Sequence, residues 1–152
     1  MQPDNLLLDN GLFFAEATRL LSEGRSVTIR AKGRSMFPFI HDGDCVVLKR
    51  PDKVKVGDIV LADIPAKGYV LHRVYRACCN GLMLMGDGNL HNTERCHVDS
   101  VAGAVVEIRH NGRSVDCSSA SERRKASLWR RLLPVRRYIL FVCRLYLRTV
   151  AG

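Results

Sequence analysis

From Ser26 to Ile108 the apolar residues come in short runs, many of them β-branched. The runs are Ser26–Arg30, Cys45–Leu48, Asp58–Ala62, Tyr69–Tyr75, Leu82–Met85 and Val101–Ile108. Turn residues punctuate them: Gly33, Asp42-Gly43-Asp44, Pro51-Asp52, Gly57-Asp58, Lys67-Gly68, Asn80-Gly81 and Gly86-Asp87-Gly88-Asn89. Short runs between regular turn signals predict a mainly β domain, with curled antiparallel sheets or a partial barrel. Asn80-Gly81 predicts a tight hairpin, because both residues accept positive φ.

The flanks have another texture. Leu12, Phe13, Ala17, Leu20 and Leu21 share one side of a helix predicted from Gly11 to Glu23, capped by Asn10 and ended by Gly24. Residues 111–122 are polar and read as a linker. Residues 123–152 combine arginines with apolar residues at spacings of three and four, which predicts a basic amphipathic helix, started or kinked at Pro134. The expected organisation is therefore a helix over 1–25 packed on the domain, a β domain over 26–110, a linker over 111–122 and a helical tail over 123–152.

Charge sharpens this division. The 152 residues carry a net charge of +9. Acidic and basic residues balance over 1–122, so the whole excess sits in residues 123–152, which contain no acid. That distribution argues against a generally basic nucleic-acid-binding domain. It leaves three partners open for the tail: its own domain, an anionic membrane surface, or another protein. The longest charge-free stretch there, Tyr138–Cys143, can lie on a bilayer but not cross it. Met1–Asn10 has no basic segment and carries Asp4 and Asp9, so a cytoplasmic protein is expected, peripheral on the inner face of the membrane if the tail binds lipid. The six cysteines form no C-x-x-C pair. His91, Cys96 and His97 are the best metal-type grouping, but idle thiols in a reducing compartment fit better, and neither metal nor cofactor is expected.

Three residues could do chemistry together. Ser35 follows a strand in a glycine-containing turn and precedes Pro38, an exposed bend of the kind a nucleophile needs. A serine hydroxyl requires a general base, and His72 in the run Tyr69–Tyr75 is the natural one. Asp87 could orient that histidine by accepting its Nδ1 proton. Each has an ordinary structural reading: turn chemistry for Ser35 and Asp87, a satisfied core residue for His72.

Taken together, these segments resemble a family. Gly33-Arg34-Ser35-Met36-Phe37-Pro38 followed by Gly43-Asp44 resembles the nucleophile motif of signal peptidase I and LexA-type serine peptidases. Gly57-Asp58-Ile59-Val60 is similar to the second motif of that superfamily, and Gly86-Asp87-Gly88-Asn89 to its G-D-N segment. His72-Arg73-Val74 stands where the bacterial enzymes carry Lys-Arg-Val, so the general base resembles that of the archaeal and endoplasmic-reticulum-type enzymes. The resemblance covers about residues 26–108. It implies Ser35 as nucleophile, His72 as general base and Asp87 as orienting acid. Glu94 is the second choice for that acid, because it adjoins Thr93, where the eukaryotic type carries an Asp; Asp99 is a distant third. Gly33 occupies the place of a hydroxyl residue that helps bind the oxyanion in some members, which leaves that task to backbone N–H groups, including that of Ser35, or to another side chain.

The chain preceding the motif is short for a helix-turn-helix domain and carries no membrane anchor, which points to a compact stand-alone branch. The expected function is a serine endopeptidase acting through a Ser35 acyl-enzyme on leader or membrane-proximal peptides. Met36, Phe37 and Phe39 would line its substrate pocket. The alternative is a catalytically silent peptide-binding or assembly module on the same fold.

Overall fold

A computed structural model of the chain describes residues 3–150, with side chains described from Gly11 onward. Helix α1 (Pro3–Ser22) leads into β1 (Val27–Arg30), β2 (Cys45–Lys49), β3 (Ile59–Ile64), β4 (Gly68–Cys78), β5 (Gly81–Met85) and β6 (Thr93–Cys96). Strands β7 (Val101–His110) and β8 (Arg113–Asp116) follow, then helices α2 (Ala120–Arg131) and α3 (Arg136–Val150). The strands form one antiparallel sheet in the order β1-β2-β7-β3-β4-β5-β6, with β8 added to β7, curled into a half-barrel. The expected mainly β architecture with a helix at each end is what the chain adopts.

Irregularities in register let the sheet curl. The pairing shifts between Val47 and Leu48 on β2, between Leu61 and Ala62 on β3, and between Val74 and Arg76 on β4. Such bulges increase twist and bend the strand that carries them. The two faces bury separate clusters: Leu21, Ile29, Ile40, Leu48 and Leu61 with their neighbours on one, and Val60, Ala62, Val74, Leu82 and Leu84 on the other. Leu21 of α1 sits so close to Gly103 that a Cβ there would stand 2.9 Å from Leu21 Cδ1. Helix and β7 approach closely because β7 has no side chain at that point.

Three boundaries differ from the sequence expectation. Helix α1 begins at Pro3 rather than Gly11, so Asn10 lies inside it. The leucines before Asn10 favour continuing the helix, and proline is at home in a first turn. The stretch read as a linker contains β8, turned back through Asn111-Gly112, where both residues have positive φ (47° and 75°). The tail is two helices, separated by a 3₁₀ turn over Leu133–Val135 that holds Pro134.

Both tail helices dock on the β domain. Trp129 and Leu140 are buried with Phe37 in a third apolar cluster. Trp129 Nε1 donates to Asp87 O at 3.1 Å, and Tyr75 Oη donates to Arg130 O at 2.8 Å. Arg136 is fully buried where α3 starts. Its Nη2 donates to Trp129 O at 2.9 Å, and its guanidinium lies over the Trp129 ring at 5.0 Å. Trp129→Ala should therefore destabilise the whole domain by about 3 kcal/mol in urea unfolding. The neighbouring change Leu128→Ala, at a site 57% exposed, should stay within about 0.5 kcal/mol.

Candidate active site

Ser35 lies in the loop between β1 and β2. Gly33 starts the bend at φ +85°, its N–H donating to Asp42 Oδ1 at 2.8 Å. Phe39 and Ile40 N–H both return to Met36 O at 3.0 Å. The loop is seated from the other side by the turn after β5. Gly88 N–H donates to Ser35 O at 2.8 Å. A Cβ on Gly86 would lie 2.4 Å from Ser35 O, and one on Gly88 2.5 Å from Arg34 O. Both distances are impossible for a side chain, so only glycines at 86 and 88 allow this approach.

His72 projects from the middle of β4 and is 6% exposed. Its Nδ1 lies 2.8 Å from Glu94 Oε2. Glu94 is itself buried, and its other oxygen takes the ammonium of Lys67 from the β3–β4 turn. Burial alone would raise the Glu94 pKa, but the bonds from Lys67 and His72 outweigh it and hold the carboxyl below its ordinary value. An ionised acceptor at Nδ1 favours the ring proton on that nitrogen. A cavity here measures about 690 Å³. Ser35 and His72 both line it, with Lys67, Tyr69, Asn89 and Met36 among the walls.

Asp87, the first choice for the orienting acid, is engaged elsewhere. It takes Arg73 Nε at 2.8 Å and Nη2 at 2.7 Å in a buried two-pronged pair, while Arg73 Nη1 donates to Gly57 O at 2.8 Å. The reason is strand parity. His72 and Arg73 are consecutive on β4, so they leave opposite faces of the sheet and meet different carboxylates. Leu84 pairs with Val74 on one side and Glu94 on the other, which brings Glu94 onto the His72 face. The order of preference between the two acids is thus reversed: Glu94 contacts the histidine and Asp87 contacts Arg73. Asp99 pairs with the exposed His97 instead.

The residues expected to bind substrate also separate. Met36 is buried but reaches the wall of the Ser35 cavity. Phe37 packs against Trp129 and Leu140. Phe39 meets the Trp129 ring edge-on at 5.8 Å and carries the Arg73 guanidinium at 4.7 Å. Both phenylalanines therefore hold the loop to the tail helices rather than facing Ser35. Lys67 is the site residue that sequence reasoning missed. Its one signal was its place in the hairpin turn before β4, which acquires meaning only when β6 brings Glu94 alongside.

Among the described residues, the cluster with metal-ligand chemistry is His41, Asp44 and His110, not His91, Cys96 and His97. It is already satisfied internally: His110 Nδ1 bonds Asp44 Oδ1, its Nε2 faces Asn111 Nδ2 at 3.0 Å, and His41 N–H donates to Asp44 Oδ2 at 2.8 Å. All six cysteines are free, and burial pushes the Cys117 thiol up to about 11, which leaves it unreactive at neutral pH.

With this geometry in place, the relationship to known proteins is direct. The profile of the Peptidase S24-like family matches residues 8–106. The chain belongs to this family, and its domain has the LexA and signal-peptidase type of fold found in serine peptidases. A search of curated proteins found no match.

The two carboxylates predict different phenotypes. Asp87→Asn leaves a buried guanidinium without its counter-charge and should cost about 3–5 kcal/mol of stability. Glu94 has a lower pKa folded than unfolded, so the unfolded chain binds more protons in that range. Its stabilising share is complete above the unfolded value, about 4.3, and is lost as pH falls through the folded one. Glu94→Gln should flatten that acid limb in denaturation midpoints recorded against pH.

Proposed function

We propose that the protein is a serine endopeptidase in which Ser35 is the nucleophile, His72 the general base and Glu94 the orienting acid. The observation that carries this reading is the buried His72–Glu94 pair, set beside a cavity that Ser35 also lines. A histidine base, where the bacterial signal peptidases use lysine, fits the resemblance to the archaeal and endoplasmic-reticulum type. Lys67 does not take the base's place here, because it is committed to Glu94.

On this reading the reaction is an acyl transfer through Ser35. Ser35 Oγ attacks the scissile carbonyl carbon as its proton passes to His72 Nε2. The imidazolium so formed is stabilised by anionic Glu94 through Nδ1–H. The carbonyl oxygen becomes an oxyanion. Ser35 N–H, which makes no bond within the protein among the described residues, is a donor for it. Collapse of the tetrahedral species breaks the C–N bond, and Nε2 returns the proton to the departing amine. A water then attacks the Ser35 ester, giving its proton to Nε2, and the second collapse restores Ser35–OH and releases the acid. An extended peptide binds with side chains alternating into and away from the cavity. Peptides with a removable leader or a membrane-proximal cleavage point are the substrate class that suits this small domain with its basic tail.

The chemistry requires a neutral His72, so reactivity should fall once acid protonates the ring. Labelling with a fluorophosphonate probe across pH tests this. Wild type should be labelled, Ser35→Ala not at all, and His72→Ala at least about a hundredfold more slowly. Well-folded wild type that resists the probe at every pH would instead favour the silent peptide-binding module.

A further inference from the structure

Helix α3 is apolar on two faces. The inner one holds Arg136 and Leu140, buried against the domain. At about 100° per residue, Tyr138, Phe141 and Leu145 fall on the opposite side, with Phe141 66% exposed, while Val142 and Tyr146, also exposed, border a groove shared with Phe37 and His41. A helix that merely packs on a domain turns polar residues outward. Arg137, Arg144 and Arg148 form a stripe along one edge of this outer face, and residues 123–152 contain no acid. Arg144 and Arg148 also line a cavity of about 470 Å³ that they share with Arg34, Phe37 and His41. Its acidic member, Asp42, is already bonded to Gly33 N–H.

We infer that the outer face of α3 is a docking surface for an anionic lipid bilayer. Aromatic and aliphatic side chains would enter the interface between headgroups and acyl chains. Arg137, Arg144 and Arg148 would stay at headgroup level, with lipid phosphate received between Arg34, Arg144 and Arg148. Charge selects this occupant over a second copy of the chain, because pairing α3 with itself would set two arginine stripes together with no acid on either helix. The helix lies on the surface and does not span it, since no helix among the described residues is long and apolar enough to cross a membrane. The surface is distinct from the Ser35 cavity. Through Arg34 it adjoins the loop that carries Ser35, so lipid would hold the Ser35 loop close to the membrane.

The test is co-sedimentation of the full chain with vesicles of equal parts phosphatidylcholine and phosphatidylglycerol, against vesicles of phosphatidylcholine alone. The chain should bind the anionic vesicles and leave the neutral ones in solution, and added salt should weaken binding. Arg144→Glu/Arg148→Glu should reduce binding by more than about tenfold. Phe141→Ser/Leu145→Ser should reduce it with circular dichroism unchanged. Ser35→Ala should bind as wild type does, which separates this surface from the peptidase reading. Failure of folded wild type to bind anionic vesicles would overturn the inference. So would equal binding by the arginine double variant, or a concentration-dependent dimer that Phe141→Ser/Leu145→Ser abolishes.

Discussion

The buried pair between Arg73 and Asp87 is the constraint on which the site depends. Both side chains are almost entirely shielded from water. A charge in that position is tolerable only with a partner and a full set of hydrogen bonds. Arg73 finds them in Asp87 and Gly57 O, and so ties β4 to the turn after β5 and to the turn before β3. The Asp87 turn then holds everything else. Gly88 N–H reaches Ser35 O, Trp129 Nε1 reaches Asp87 O, and Arg136 Nη1 reaches Asn89 O at 3.4 Å. One ion pair therefore fixes the serine loop, the end of β5 and the docking of the tail helices relative to one another.

The site separates two tasks between two carboxylates, and strand geometry enforces the separation. Consecutive residues on β4 cannot share a face. His72 meets Glu94 on one side of the sheet, and Arg73 meets Asp87 on the other. Asp87 is a positioning residue that seats the backbone of the Ser35 loop. Glu94 meets Nδ1 of His72, and the bonds from Lys67 and His72 hold its carboxyl below the ordinary range. The tail belongs to the same arrangement, because Phe37 and Phe39 carry the loop onto Trp129. What looks like an appendage in the sequence is a wall of the domain, with one face left over for another surface.

Much of this is legible in the amino-acid sequence. Alternating short runs and turn dipeptides gave the mainly β domain, because period-two patterning and positive-φ turns are local properties. The Ser35 and His72 segments were legible through motif order. The partner of His72 was not. Asp87 stood in a recognisable segment, whereas Glu94 lies on a four-residue strand too short and too polar to announce itself. Choosing between them requires the register of β4, β5 and β6, which is a tertiary fact. Strand β8 was missed although Asn111-Gly112 is a hairpin dipeptide, since Arg113–Asp116 has a single apolar residue. The inner and outer faces of α3 could not be told apart either, because both are apolar and only the docking of Arg136 and Leu140 shows which is covered.

In the proposed mechanism Glu94 fixes His72 with its proton on Nδ1 and leaves Nε2 as the base. Nitrogen NMR of the His72 ring reads this directly when recorded on protein labelled at the histidine ring nitrogens, above the pH at which the ring is neutral. A protonated Nδ1 and a bare Nε2 are expected in wild type, with that preference weakened in Glu94→Gln. A neutral His72 carrying its proton on Nε2, or a tautomer indifferent to Glu94→Gln, would contradict it.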